Sequence, residues 1–187
     1  IRYSDYTVST DHGLARNLQT VLTGVGAAAR EHGRHERRDE MRLFLDTANI
    51  ADIRRAAAMG VVDGVTTNPS LAAKMGLDIF ESLKKICAAV PGPISAEVLA
   101  TDTAGMIAEG ERYAKIAKNI TIKIPMTWDG MKAVRALRDQ GLMVNVTLCF
   151  SAVQAMMAAK AGATFISPFI GRLDDIGEDG MQLIRDI

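Results

Sequence analysis

From Met41 onward the chain alternates two hydrophobic rhythms. Short runs rich in Val, Ile, Leu and Thr are separated by longer stretches in which apolar residues return at the three- and four-residue spacing of an amphipathic helix. The pattern predicts strands over 42–45, 64–66, 94–98, 121–124, 143–147 and 164–167, and helices over 50–59, 79–89, 104–117, 128–140, 152–161 and 181–187. Gly60, Gly141 and Gly162 stand where helices should end, and Asp102 and Ser151 where two should begin, because such side chains accept an orphan amide of the first turn. Regular alternation of this kind is the mark of βαβ units on a parallel sheet.

Within the strands the polar residues keep one parity. Asp46 ends the first, Thr66 and Asn68 the second, Ser95 and Glu97 the third, Thr121 and Lys123 the fourth, Asn145 and Thr147 the fifth, and Ser167 the sixth. Residues two apart share a strand face, so a sheet curled on itself would gather these groups at the carboxyl ends of its strands. A doubly wound open sheet also binds ligands at strand ends, but no Gly-rich GxGxxG turn follows the first strand. The expected fold is therefore α/β, a (β/α)8 TIM barrel, here reduced to about six β/α units where the closed form has eight.

Composition narrows the chemistry. The 22 Lys and Arg balance 22 Asp and Glu among 187 residues, which leaves no electrostatic footprint for nucleic acid or an anionic membrane surface. A small-molecule partner is expected. Cys87 and Cys149 form no CxxC or metal-ligand spacing, and two cysteines make no disulfide framework, which suits a reducing, cytoplasmic setting. No apolar run approaches the roughly 20 residues of a membrane span, and no secretory h-region opens the chain. His12, His32 and His35 all precede Met41, so the remainder lacks imidazole for Ser-His or Cys-His triads and ordinary zinc hydrolysis. Residues 1–40 read as an extension, weakly helical over 14–29 and ending in a mixed charge run over 30–40 that suits a solvated segment. Residues 41–187 read as the barrel part.

Lys123 sits between Ile122 and Ile124, with Pro125 expected to end the ladder. Desolvation there disfavours the ammonium and favours an amine able to attack a carbonyl and form a Schiff base. The other reading is a lysine that snorkels to solvent or pairs with a buried carboxylate. Asp46 could take the proton of a substrate hydroxyl, or cap the helix after the Thr47–Ile50 turn. Glu97 with Thr147 could hold and activate a water, or Glu97 could pair with Lys123. Asn68, Asn145 and Ser167 could bond substrate hydroxyls or satisfy buried backbone groups. Arg172 suits a phosphate monoester at a barrel mouth, or a salt bridge to Asp174 or Asp175. Cys149, Met156 and Met157 read as packing residues.

The motifs Phe44-Leu45-Asp46-Thr47-Ala48, Gly64-Val65-Thr66-Thr67-Asn68-Pro69-Ser70, Lys123-Ile124-Pro125-Met126-Thr127, Asn145-Val146-Thr147 and Ser167-Pro168-Phe169-Ile170-Gly171-Arg172-Leu173-Asp174-Asp175 together closely resemble the transaldolase family, in its small-subunit branch that also holds the fructose-6-phosphate aldolases. The resemblance runs from Met41 to the last residue. It implies a class I mechanism in the pentose phosphate pathway, in which Lys123 carries a dihydroxyacetone unit from a ketose phosphate to an aldose phosphate. It further implies Asp46 as proton-transfer acid/base, Glu97 and Thr147 on the catalytic water, Thr66, Asn68, Asn145, Ser167 and Phe169 at the substrate, and Arg172 at its phosphate. No metal or organic cofactor is implied, and the full-length family implies a homo-oligomer. Aldolase members resemble this pattern but tend to carry Gln at the place of Glu97 and Tyr at that of Phe169, so these two residues favour transfer over cleavage.

With about six units instead of eight, the expected sheet has two bare edges and an apolar interior, which predicts association with another chain. An inactive fragment is the competing expectation.

Overall fold

The computed structural model describes residues 42–67, 76 and 78–187, together with the backbone of Leu18–Gln19 and Leu22–Thr23. In chain order the elements are β1 (Leu18–Gln19), β2 (Leu22–Thr23), β3 (Phe44–Asp46), α1 (Ile50–Ala57), β4 (Gly64–Thr66), α2 (Ile79–Ala89), β5 (Ile94–Glu97) and α3 (Thr103–Ala114). There follow β6 (Ile120–Pro125), α4 (Trp128–Asp139), β7 (Met143–Cys149), α5 (Ala152–Ala161), β8 (Phe165–Pro168), α6 (Ile170–Asp175) and α7 (Gly180–Asp186).

Helix starts follow local chemistry. The side chains of Asn49, Asp78, Asp102, Thr127, Ser151 and Asp179 each accept an amide of the turn that follows, which satisfies donors that have no partner inside the helix. Gly162 closes α5 in the left-handed conformation at φ 99°, while Gly60 and Gly141 lie just past the caps Ala58 and Gln140. Pro125 ends the β6 ladder as expected, the last residue in register, opposite Thr147. The stretch after β8, for which the pattern predicts no helix, contains α6, which has no side-chain cap to announce it. Of the stretch 14–29, read as weakly helical, the described residues are extended, and the rest lies outside the described residues.

Strands β3 to β8 run parallel, each beside its predecessor, with helices alternating between them. They form a half-barrel, a truncated (β/α)8 architecture. Leu45, Val65, Ile94, Ala96, Ile122, Ile124, Val144, Val146 and Ile166 point outward into one core with Ile53, Leu83, Ile86, Met106, Val134 and Leu137 of the helices. Burying each such side chain contributes about 1.5–3 kcal/mol. The opposite parity faces inward and is mostly polar, as the spacing of its polar residues predicts and unlike the apolar interior expected of an unclosed sheet: Thr66, Ser95, Thr121, Lys123, Asn145, Thr147 and Ser167 are all buried.

The strands curl far enough for their first and last members to meet. Phe44 of β3 and Phe165 of β8 form a small cluster of their own, edge to face, with ring centroids 5.9 Å apart. Room for the Phe44 ring comes from Gly64 across the ladder, where a Cβ would lie 2.3 Å from a ring carbon. Nor are the edges bare. β1 pairs antiparallel with β3 and β2 with β8, giving the sheet order β1-β3-β4-β5-β6-β7-β8-β2. From Gln19 to Leu22 the chain can span only roughly 11 Å, so both edges lie within a few strand spacings of one another.

Gly64→Ala should destabilise the fold by about 1–3 kcal/mol, because its methyl group meets the Phe44 ring and the carbonyl oxygen of Pro93. Urea denaturation checks this, and an unchanged midpoint would show that the Phe44 ring has room to move.

Candidate active site

The strand ladder itself delivers the central pair. Glu97 is the register partner of Lys123 on the neighbouring strand, so both inward side chains leave their strands at the same height. Lys123 Nζ lies 3.0 Å from Glu97 Oε2. The lysine side chain is 4 % exposed and the glutamate 23 %, so the ammonium is buried while its counter-ion reaches toward solvent. Of the two readings open for Glu97, the ion pair is what the structure contains. A buried charge needs such a partner, and losing one member leaves the other uncompensated.

Asp46 ends β3, and its Oδ1 accepts a 2.8 Å hydrogen bond from Thr66 Oγ1 of the next strand. It is not a helix cap. Asn49 caps α1 by accepting from the amides of Ala51 and Asp52, and Thr47 Oγ1 takes the amide of Asn49. Asp46 is therefore left pointing into the lumen. Burial pushes its carboxyl above the usual aspartate range, an effect that the Thr66 bond and the positive charge of Lys123 oppose without cancelling.

A second polar layer links alternate strands. Ser167 Oγ donates to Asn145 Oδ1 at 3.1 Å, and Asn145 Nδ2 donates to Ser95 Oγ at 3.1 Å. The bond from β7 to β5 passes over β6, as layers in a curled parallel barrel do. These side chains satisfy each other rather than buried backbone groups. Ser95, which the sequence placed on the inner face without a role, is thereby the terminus of this relay. Among the described residues, two buried hydroxyls have no hydrogen-bond partner, Thr147 Oγ1 and Thr121 Oγ1. Both belong to the inward parity that carries Lys123 and Asn145. A bulge follows Thr147, where the β7–β8 register shifts between Val146 and Cys149 and Leu148 takes φ 59°. Positive φ at a leucine is strained, and no sequence signal marked it.

The remaining residues lie at the rim. Phe169 flanks α6 and packs edge to face on Phe150 at 5.4 Å. Arg172 is exposed on α6 and pairs with Asp175 at 3.2 Å, so the salt bridge left open by the sequence is present and the guanidinium is not drawn into the buried cluster. Such an exposed pair is worth little and is readily exchanged. Asn68 lies outside the described residues. Cys149 packs as expected, and burial pushes its thiol up. Met156 and Met157 do not, at 61 % and 43 % exposed; α5 turns its small Ala155 and Ala158 to the core instead. Among the described residues, no three His, Cys, Asp or Glu side chains gather where they could hold a metal ion, and no helix is long and apolar enough to cross a membrane.

Fold and site together define a β/α-barrel protein with a lysine and two carboxylates at the carboxyl ends of its parallel strands. Residues 43–187 match the family model described as transaldolase/fructose-6-phosphate aldolase. The chain is 63 % identical over 147 residues to a probable transaldolase of Dinoroseobacter shibae, covering 79 % of this chain and 68 % of that protein. It is 64 % identical over 147 residues to one of Ruegeria pomeroyi with the same shares, and 59 % identical over the same length to one of Anaeromyxobacter sp. strain K. This chain belongs to the transaldolase/fructose-6-phosphate aldolase family, whose members are enzymes of the transaldolase and aldolase type.

The raised carboxyl of Asp46 makes a signed prediction. Its folded-state pKa lies above the unfolded one, so the folded chain loses stability as pH rises through that window and stays lower above it. Asp46→Asn keeps an acceptor for Thr66 without the charge. It should be more stable than the parent at pH 7, with the gain vanishing as pH falls below the ordinary aspartate value of about 3.8. Thermal melts across pH check this; a gain that persists at low pH would assign the effect to something other than the charge.

Proposed function

We propose that the chain is a class I transaldolase, transferring a dihydroxyacetone unit from a ketose phosphate, fructose 6-phosphate or sedoheptulose 7-phosphate, to an aldose phosphate in the pentose phosphate pathway of the cytoplasm. The observation that carries this reading is the buried Lys123–Glu97 pair at 3.0 Å, with Asp46 on the same inner face. A lysine that must become a neutral nucleophile needs a nearby base to receive its proton, and Glu97, 3.0 Å away, would be that base.

The chemistry runs in balanced steps. Lys123 passes a proton to Glu97, and its amine attacks C2 of the ketose, forming a C–N bond as the carbonyl oxygen becomes a hydroxyl. That hydroxyl leaves as water with the proton returned by Glu97, and an iminium results. Asp46 takes the proton of the C4 hydroxyl; the C3–C4 bond breaks, its electrons flow into the iminium as an enamine, and an aldose phosphate departs. The enamine carbon then attacks the carbonyl of a second aldose phosphate, whose oxygen takes the proton back from Asp46. Water held by Glu97 and Thr147 releases the product and the amine.

A carboxyl held above the ordinary range suits a group that both takes and returns a proton. The unpartnered Thr147 hydroxyl has capacity to bind that water. Thr66, Asn145, Ser167 and, outside the described residues, Asn68 would contact the sugar. Arg172 would exchange Asp175 for the phosphate. Phe169 favours transfer over cleavage to free dihydroxyacetone, since a phenyl ring has no proton to quench the enamine. Glu97 favours the same reading, because aldolase members tend to carry Gln there.

Incubation with fructose 6-phosphate and borohydride should leave a reduced dihydroxyacetone or hexose phosphate adduct on Lys123, read by peptide mass spectrometry, and Lys123→Ala should show none. Added erythrose 4-phosphate should yield sedoheptulose 7-phosphate, with Asp46→Asn slower by about 10²–10⁴-fold. A folded parent chain with no adduct would favour an inactive fragment, and free dihydroxyacetone as the main product would favour the aldolase.

A further inference from the structure

The loop that leaves β5 is held by a carboxylate from α3. Glu109 Oε2 accepts from the backbone amides of Leu99 at 2.6 Å and Ala100 at 3.2 Å. The amide immediately before these, of Val98, donates to the carbonyl oxygen of Lys123 at 3.2 Å. Three consecutive amides after Glu97 are thus tied down, the first to the strand of the lysine and the next two to one carboxylate oxygen. Gly105 completes the seat: a Cβ there would lie 2.7 Å from that of Ala100, so the loop rests directly on the helix.

This loop continues directly from Glu97, the last residue of β5, whose carboxylate is partly exposed and pairs with Lys123. Beyond Glu97, where β5 ends, the Val98 amide makes the last bond to the neighbouring strand, and the next two amides bond Glu109 instead. Charge-assisted bonds from a carboxylate to backbone amides are stronger and shorter than neutral ones, and a single acceptor shared by adjacent amides fixes the peptide plane between them.

We propose that Glu109 is a positioning residue, which holds the loop after β5 so that the Glu97 carboxylate stays within proton-exchange distance of Lys123 Nζ. Glu109 touches neither the lysine nor the reacting atoms; it acts through the loop. The proposal rests on the transaldolase reading for its kinetic consequence but not for its geometric one.

Both parts are testable on the full chain with Glu109→Ala and Glu109→Gln. The ¹⁵N-labelled side-chain ammonium of Lys123 reports the ion pair without any substrate: Glu109→Ala should shift or broaden it, and Glu109→Gln, which keeps an acceptor for both amides, should leave it near the parent position. In borohydride trapping with fructose 6-phosphate, Glu109→Ala should slow adduct formation by about tenfold or more with an unchanged half-saturating concentration, a loss expected when a reacting group drifts by a fraction of an ångström. Glu109→Gln should recover most of the rate. A structural role alone would lower the melting temperature and leave the lysine signal and the trapping rate at parent values, and that result overturns the proposal. Should Glu109→Ala not fold, a folded Glu109→Asp, too short to hold both amides, with the lysine signal and trapping rate of the parent would also overturn it. A parent chain that traps nothing refutes the transaldolase reading alone, and the lysine signal still decides the role of Glu109.

Discussion

Every residue of a strand must choose between two faces, and in β3 to β8 apolar side chains turn toward the helices and polar ones toward the lumen, with Phe44 and Phe165 as apolar exceptions on the inner face. The helix side is a single packed core running from Leu45 to Ile184. Because the side-chain period is two, slipping one strand by a residue would bury its polar groups among leucines and expose its isoleucines. The outer core therefore sets the register, and the register sets the site. Glu97 stands opposite Lys123, and Lys123 opposite Asn145, as a consequence of Ile122 and Ala96 being packed on the other side.

That arrangement places a charge where charge is costly. Lys123 is almost wholly buried, and the Glu97 carboxylate compensates it at 3.0 Å. Replacing such a pair with apolar residues is often neutral or stabilising, so its presence is weak evidence for stability and better evidence for chemistry. Asp46 fits the same pattern, being buried enough to hold its carboxyl above the ordinary range. The unpartnered hydroxyls of Thr121 and Thr147 and the strained Leu148 add further local departures from rest, all at or beside the inner face. Clustering of such departures is what a functional site looks like when the rest of the fold supports it.

Much of this was legible in the sequence because alternation in strands and caps at helix starts are local signals. The parity of Glu97, Lys123, Asn145 and Thr147 could be read from spacing alone, and Asp102 and Ser151 cap helices as their residue types suggest. What could not be read depends on neighbours distant in the chain or on competition between near-equal choices. Asp46 and Asn49 were both able to cap α1, and only the backbone path gives the role to Asn49. Arg172 could serve a phosphate or a nearby aspartate, and with Asp175 three residues on along α6 the pair forms locally. The Ser167–Asn145–Ser95 relay joins residues up to 72 positions apart through the curl of the sheet. No local signal assigned a role to Glu109, whose amide partners lie nine and ten residues away across a loop. The pairing of β1 and β2 with the outer strands had no hydrophobic pattern to announce it.

The central claim is that the Lys123 amine attacks the ketone carbon of a sugar phosphate. Iminium formation expels the carbonyl oxygen as water, and its reversal takes the oxygen from solvent, so the claim can be tested without an acceptor and without a trapping reagent. Fructose 6-phosphate labelled with ¹⁸O at C2 should lose its label to solvent in the presence of the parent chain, far faster than the spontaneous exchange, and at the spontaneous rate with Lys123→Ala. A label lost no faster with the folded parent chain than with buffer would contradict the account.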